Sequence, residues 1–416
     1  MADGAAYLSQ DTVVITAFEA RPNVGTEAGL AWNWAMAYQR RGYRVQVVTA
    51  QVPDHITEGD DKLWTDNQVD IVRTGPPLNK VGAASGIKSM FQMSRSYQEW
   101  IKSAREYLKE IDAQVIHHVS WGSIRLAPPF SFKNTTAICV WGPLGGGQHA
   151  YFRGLRLRDW PPEIARTISF GYFLERTKKQ LKKIEPDVIT LVTNNETGAV
   201  ARGLGLTPIH MLADGINDST ISVSPRELRS QSELRLVWAG RLVPTKRPDI
   251  AVMTIAALLK RGINAQLVIC GDGPCKDELI ELISNEQLDA HVALKGKVPF
   301  PDMASIYAES DVLLFHSMRD SSCPAVLEAA SKGIPTVALR IQGVKACFSS
   351  SVARGPENVA RARDLAPLLA DYCMTLLDKR EYSFASRCAI QMAKRATWDT
   401  KLDEIFSYFE AVQGAS

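Results

Sequence analysis

The 416-residue chain lacks any run of about 18 apolar residues, so no transmembrane helix is expected. It also lacks a strong charge of either sign. Its formal net charge is only +3, with acids and bases interspersed, which argues against wholesale nucleic-acid binding. Paired cysteines are missing too: the seven cysteines are odd in number and scattered, often in apolar strand-like runs, so they read as reduced thiols. Cys270 and Cys275 have no second Cys or His pair at ligand spacing, which disfavours zinc, and no Asp-x-Asp follows a strand. The polar stretch Met1 to Asp11 has no charged region followed by an apolar core, so a cytoplasmic location is expected.

What the chain does have is apolar substance, 45% of its residues, at a length where one core usually divides into two. Short β-rich runs alternate with helix-period segments, the pattern of parallel βαβ units and an α/β fold. Strands are expected at VVITAF from Val13, VQVVTA from Val45, VDIVRT from Val69, QVIHHV from Gln114, AICVWG from Ala137 and VITLVT from Val188. A serine-rich stretch follows, and a second series starts with LRLVWAG at Leu234, then AQLVICG, HVALKG, DVLLFHS and PTVALR. The expected division is a Rossmann-like domain over 1–213, a linker over 214–233, a second Rossmann-like domain over 234–381, and helices over 382–416 that pack back on the first domain.

In doubly wound sheets ligands bind beyond the carboxyl ends of strands, so the loops leaving those ends are the places to look. The first, EARPNVGTEAG, puts Gly25, Thr26 and Glu27 ahead of an amphipathic helix. The glycine suits either a phosphate at a helix N-terminus or a tight turn, and Glu27 either a helix-start charge or a ligand for sugar hydroxyls. At the second, His117 and His118 end a strand ahead of Trp121; alternation aims at most one of them at a substrate, and a core pair is the plainer reading. The third, WGPLGGGQ, carries Gly145, Gly146, Gly147 and Gln148, a loop able to close over a ligand or merely mobile.

The fourth set is the most informative. GRLVPTKRPD places Gly240, Arg241 and Lys246 beyond a strand end, a fixed fork and a point charge suited to a diphosphate. GDGP follows at Gly271, then DSSCPAVLEAASKGIP from Asp320. There Ser322, Cys323, Pro324 and Ala325 form a helix start able to receive phosphate, and Asp320 and Glu328 are carboxylates for sugar and ribose hydroxyls.

This pattern resembles family 4 of the retaining glycosyltransferases (glycosyl transferases group 1), whose members have the GT-B fold, over nearly the whole chain. The family's Glu-(seven residues)-Glu motif is met in spacing by Asp320 and Glu328, with Asp in place of the first Glu. Its G-R-L-x-x-x-K segment matches Gly240, Arg241, Leu242 and Lys246. The resemblance implies that Arg241 and Lys246 bind the donor diphosphate, and that the base is held near Lys297 and Val298. Family members often use a His at a DVIHxH strand end; here His117 aligns with the first His and Val119 takes the place of the second, which makes His118 the catalytic candidate. His117, Trp121 and the glycine loop remain sugar or acceptor contacts.

A retaining, metal-independent transfer from a nucleotide-diphosphate sugar to a glycan or lipid-linked acceptor is thereby implied, without a cofactor and without nucleic acid. GTEAGLAWNWA and WGPLGGGQ resemble a branch that makes polysaccharides and cell-surface glycans. The two alternatives are a nucleotide-sugar epimerase and an inactive family member that binds nucleotide or glycan and supports an active partner. Over Arg153 to Lys183, nine basic residues face three acidic ones among interleaved aromatics, which suits peripheral contact with the anionic inner face of a membrane as well as a solvated helix. The amphipathic stretch Ile87 to Lys109, with Lys88, Met90, Phe91, Met93 and Trp100, points the same way.

Overall fold

The computed structural model describes residues 12–25, 27–52, 59–77, 87–130, 137–182, 188–359 and 361–413. Thr26 and Lys183 lie outside the described residues, as do the side chains of Lys88, Met90 and Phe91.

The first sheet has seven parallel strands: β1 (Thr12–Ala17), β2 (Arg44–Ala50), β3 (Asp70–Thr74), β4 (Val115–Ser120), β5 (Ile138–Leu144), β6 (Val188–Val192) and β7 (Pro208–His210). Their order is β3-β2-β1-β4-β5-β6-β7. The second has six: β8 (Glu233–Ala239), β9 (Asn264–Cys270), β10 (Val292–Gly296), β11 (Val312–Phe315), β12 (Thr336–Ala338) and β13 (Ala353–Arg354), ordered β10-β9-β8-β11-β12-β13. Every expected strand is found. In each sheet the strand order reverses beside the first strand, between β1 and β4 and between β8 and β11, and a doubly wound fold opens its crevice at that reversal.

The central strands read as near-continuous apolar runs because helices cover both faces. Val13, Val14 and Ile15 are all fully buried, with Val13 and Ile15 facing one core cluster and Val14 the other. Burying each such side chain contributes roughly 1.5–3 kcal/mol. In the second domain, the helices Pro248–Lys260 and Pro324–Ser331 begin alike. Each has proline in its first turn, preceded by a residue in the left-handed region, Arg247 at φ 48° and Cys323 at φ 54°. Proline disfavours the α region for its predecessor and suits the first helical position, so the chain turns sharply into both helices.

The C-terminal expectation is corrected in part. The helix Lys379–Arg395 stays on the second domain, where Tyr382 Oη donates to the Asp311 carbonyl at 3.0 Å and Ser386 Oγ accepts from Arg226 N at 2.8 Å. Only the last helix, Trp398–Gln413, crosses back, burying Trp398, Leu402, Ile405 and Phe409 in the first domain's core. A second crossing was not expected: Ala150 and Leu155, just past the glycine loop, pack into the second domain's core, and Tyr151 N donates to the Met318 carbonyl at 2.7 Å.

Candidate active site

A cleft of about 710 Å³ lies between the domains, walled by loops leaving β1, β4 and β5 on one side and β8 and β11 on the other. On the second-domain wall are Arg241, Lys246, Asp320, Ser321, Ser322 and Pro324. Lys246 Nζ pairs with Asp320 Oδ2, and its ammonium also lies 5.4 Å from the centre of the Phe315 ring. Asp320 is fixed from its other side: Oδ1 accepts from Cys323 N at 3.3 Å, and the Asp320 N–H donates to Gln342 Oε1 at 3.1 Å. Arg241 is exposed and has no ion-pair partner among the described residues.

The glycine-rich turn serves this wall indirectly. Gly271 at φ 147° and Gly273 at φ 151° lie against the backbone of Gly240 and Leu242, so close that a Cβ on Gly271 would collide with the Gly240 carbonyl oxygen. The turn therefore buttresses the loop that carries Arg241.

On the first-domain wall, Glu27 accepts a hydrogen bond from Gly122 N at 2.7 Å. The side chain is exposed at the cleft, yet the protein crowded around the cleft pushes its carboxyl up to about 7, the Gly122 N–H opposing the shift. Gly25 lines the cleft beside the Phe300 ring of the second domain. Trp121, Gly145, Gly146 and Gln148 also line it, with Gln148 buried and accepting from Gly146 N at 3.0 Å. Gly147 turns away, its N–H donating to Thr197 Oγ1 at 3.1 Å.

His117, His118, Lys297 and Val298 lie away from the cleft. His117 and His118 are both fully buried in the core, on opposite faces of β4. His117 Nε2 donates to the Gly142 carbonyl at 2.8 Å and its Nδ1 meets Tyr38 Oη at 3.2 Å; His118 meets Thr16 Oγ1 at 2.9 Å and Tyr97 Oη at 3.0 Å. Burial lowers both pKa values to about 3, which keeps the rings neutral. Neither lines the cleft, so His118 is not placed to meet a substrate. Lys297 is exposed and Val298 packs on an apolar cluster, both off the cleft wall.

Glu328 lies one helical turn beyond Pro324 and behind the wall. It accepts from Tyr307 Oη at 2.9 Å, and burial raises its pKa to about 7, with the Tyr307 hydrogen bond opposing and Asp214 adding to the rise. Cys323 is fully buried and Ala325 nearly so, and they shape the helix start from beneath.

The sequence reading missed Asp214, Arg125, Arg166 and Arg319, all on the cleft wall. Asp214 sits where the chain passes between domains; burial raises its pKa, opposed by Lys401 and by a hydrogen bond from Ser322. Lys401, from the returning helix, donates to the Ala213 carbonyl at 3.0 Å beneath the rings of Trp34 and Trp398. No sequence signal marks this pair, because its members meet only when the last helix returns. Among the described residues no group of three or more His, Cys, Asp or Glu is arranged to hold a metal ion.

Residues 223–364, which span the second sheet and its cleft wall, match the family model described as glycosyl transferases group 1. The second domain is similar to the glycosyl transferases group 1 family. Among curated proteins, this chain is 26% identical to the D-inositol 3-phosphate glycosyltransferase of Corynebacterium efficiens, over 46% of each. It is 21% identical to the GPI3 component of the phosphatidylinositol N-acetylglucosaminyltransferase of Saccharomyces cerevisiae, over 39% of this chain and 32% of that protein. The chain thus spans less than half the length of these relatives. Among solved structures, Anabaena Alr3699/HepE in complex with UDP and glucose is similar with TM-score 0.61 and 14% identity, over 96% of this chain and 100% of that one. The sucrose-phosphate synthase of Thermosynechococcus elongatus is similar with TM-score 0.65 and 14% identity, over 98% and 100%. These likenesses are of fold and cover nearly the whole chain: two facing Rossmann-like domains, the GT-B architecture. No helix among the described residues is long and apolar enough to cross a membrane.

Proposed function

We propose that this chain is a retaining glycosyltransferase that moves a sugar from a nucleotide-diphosphate sugar to a hydroxyl of a glycan or lipid-linked acceptor, in the making of cell-surface polysaccharide or another glycoconjugate. The observation that carries the proposal is the cationic pair Arg241 and Lys246 at the strand reversal of a group 1 domain, facing Glu27 and Trp121 across the cleft. The solved relative named above was captured with UDP and glucose, which is consistent with a nucleotide-sugar donor.

In the proposed reaction the bond between the anomeric carbon and the diphosphate oxygen breaks as positive charge develops on the sugar. The acceptor hydroxyl attacks from the same face, a new C–O bond forms, and the hydroxyl proton passes to the departing phosphate oxygen. The largest contribution to lowering the barrier is stabilisation of the leaving group's charge. Arg241 supplies a planar fork and Lys246 a point charge, so these side chains do what a divalent metal would do. Lys246 must exchange Asp320 for the diphosphate when donor binds. Glu27, on the facing wall and fixed by the Gly122 N–H, is suited to orient a sugar hydroxyl.

Peripheral membrane contact is supported by an exposed apolar stripe, Ile164, Ile168 and Tyr172, beside the exposed Arg176, Lys178 and Lys179. Arg156 and Arg158, in contrast, are engaged with Glu278 of the second domain. Co-sedimentation with phosphatidylglycerol vesicles, lost on Ile168→Glu, is the expected result; no sedimentation of wild type refutes the membrane part. For the reaction, product anomers are read by NMR with and without a chelator. An inverted product refutes retention, and loss of activity in chelator refutes metal independence.

A further inference from the structure

The first-domain wall carries more positive charge than a donor diphosphate on the opposite wall requires. Arg125 lines the cleft, its Nε donating to Ser123 Oγ at 3.3 Å and its guanidinium lying close beside Gly146 of the glycine loop. Burial, then the neighbouring Arg319, lowers its pKa to about 10, with Glu27 opposing. Arg166 lines the same cleft from the helix Trp160–Leu181, and that helix is tied to Arg125 through Thr177 Oγ1, which donates to the Arg125 carbonyl at 2.6 Å. Arg319 is neutralised by Glu163 at 3.0 Å, but among the described residues neither Arg125 nor Arg166 forms an ion pair with a carboxylate. A cation partly drawn out of water with no carboxylate at ion-pair distance carries a desolvation cost that an anion would offset, and a guanidinium fork matches phosphate geometry.

The space beside them continues outward. Ser94 and Phe173 line both the cleft and a second groove of about 470 Å³, which runs between the helices Ile87–Leu108 and Trp160–Leu181 past Lys102, Arg176 and the ion pair of Arg95 with Glu99. We infer that Arg125 and Arg166 bind a phosphate group of the acceptor, and that the body of the acceptor leaves the cleft along this groove. The inference rests on the transferase reading, since it presumes that the opposite wall holds the donor. It assigns the acceptor a chemical class, a phosphate-bearing alcohol, free or as a lipid headgroup.

Calorimetric titration tests it with glucose 6-phosphate for a free acceptor, dihexanoyl phosphatidylglycerol below its micellar concentration for a headgroup, and glucose as the uncharged control. UDP, GDP and ADP are titrated in parallel. Wild type is expected to bind at least one phosphate probe and not glucose, and the probe bound names the source. Arg125→Gln is expected to weaken that binding at least tenfold and Arg125→Lys to restore part of it, with the affinity for nucleoside diphosphate within twofold in both. Phosphate binding that survives Arg125→Gln, or none in a wild type that binds a nucleoside diphosphate, overturns this inference alone. A wild type that binds no nucleoside diphosphate counts against the transferase reading instead.

Discussion

Lys246 and Asp320 face one another as an ion pair at the mouth of the second domain, with the Phe315 ring beneath the ammonium. Each therefore occupies the charge that a substrate would otherwise meet. Removing the competing carboxylate with Asp320→Ala is expected to tighten nucleoside diphosphate binding by roughly fivefold, about 1 kcal/mol, the upper end for a partly exposed pair. Lys246→Ala is expected to weaken the same binding. Titration calorimetry decides it, and unchanged affinity in both variants would mean that the pair stands clear of the diphosphate.

Gly271 should tolerate no side chain. At φ 147° and against the Gly240 carbonyl, Gly271→Ala forces the turn away from the loop carrying Arg241. The expected cost is about 2 kcal/mol or more in denaturant unfolding, with weakened diphosphate binding. Gly262→Ala, at φ 77° with open space around the Cβ, is the control for backbone strain without collision.

Glu328 makes stability fall as pH rises. Its folded pKa of about 7 lies above the ordinary 4.5, so between those values the folded state holds a proton that the unfolded state releases. Wild type is expected to lose stability relative to Glu328→Gln at up to about 1.4 kcal/mol per pH unit across that window. Parallel denaturation curves at pH 5 and 7 for the two proteins would contradict the burial of this carboxyl.

Lys401 acts with the opposite sign and in another window. Burial lowers its folded pKa to about 7 from 10.5, with Asp214 opposing, so the unfolded state binds the extra proton and this group's contribution rises with pH from 7 to 10.5. Lys401→Met should abolish that rise and remove the charge that favours the ionised Asp214. A double-mutant cycle with Asp214→Asn measures the coupling between the two groups, expected at about 0.5–3 kcal/mol.

Much of this was legible in the sequence because it rests on local chemistry. The apolar runs of β1 and β8, the glycines of GDGP and the prolines opening two helices each declare a backbone conformation within a few residues. β7 and β13 escaped notice because strands of three and two residues at a sheet edge carry no readable run. For His117 and His118, alternation correctly sends the rings to opposite faces. The sheet is buried on both faces, however, so both rings end in the core. Arg125 sits in no motif, Arg166 stood out only as one charge of a basic stretch, and Asp214 and Lys401 come near one another only in the folded chain. Long-range electrostatics of this kind leaves no periodic trace in the chain.

The central claim is nucleotide-sugar-dependent transfer through Arg241 and Lys246, and the most direct measurement is donor binding and slow hydrolysis across UDP-, GDP- and ADP-sugars, with chelator present. The account predicts that wild type binds and hydrolyses at least one donor. Arg241→Ala should lose roughly 100-fold in turnover, as for removal of one charge-stabilising group, while its unfolding free energy stays within about 0.5 kcal/mol of wild type. A wild type that binds none of these donors, or an Arg241→Ala variant that turns over as fast as wild type, would contradict it.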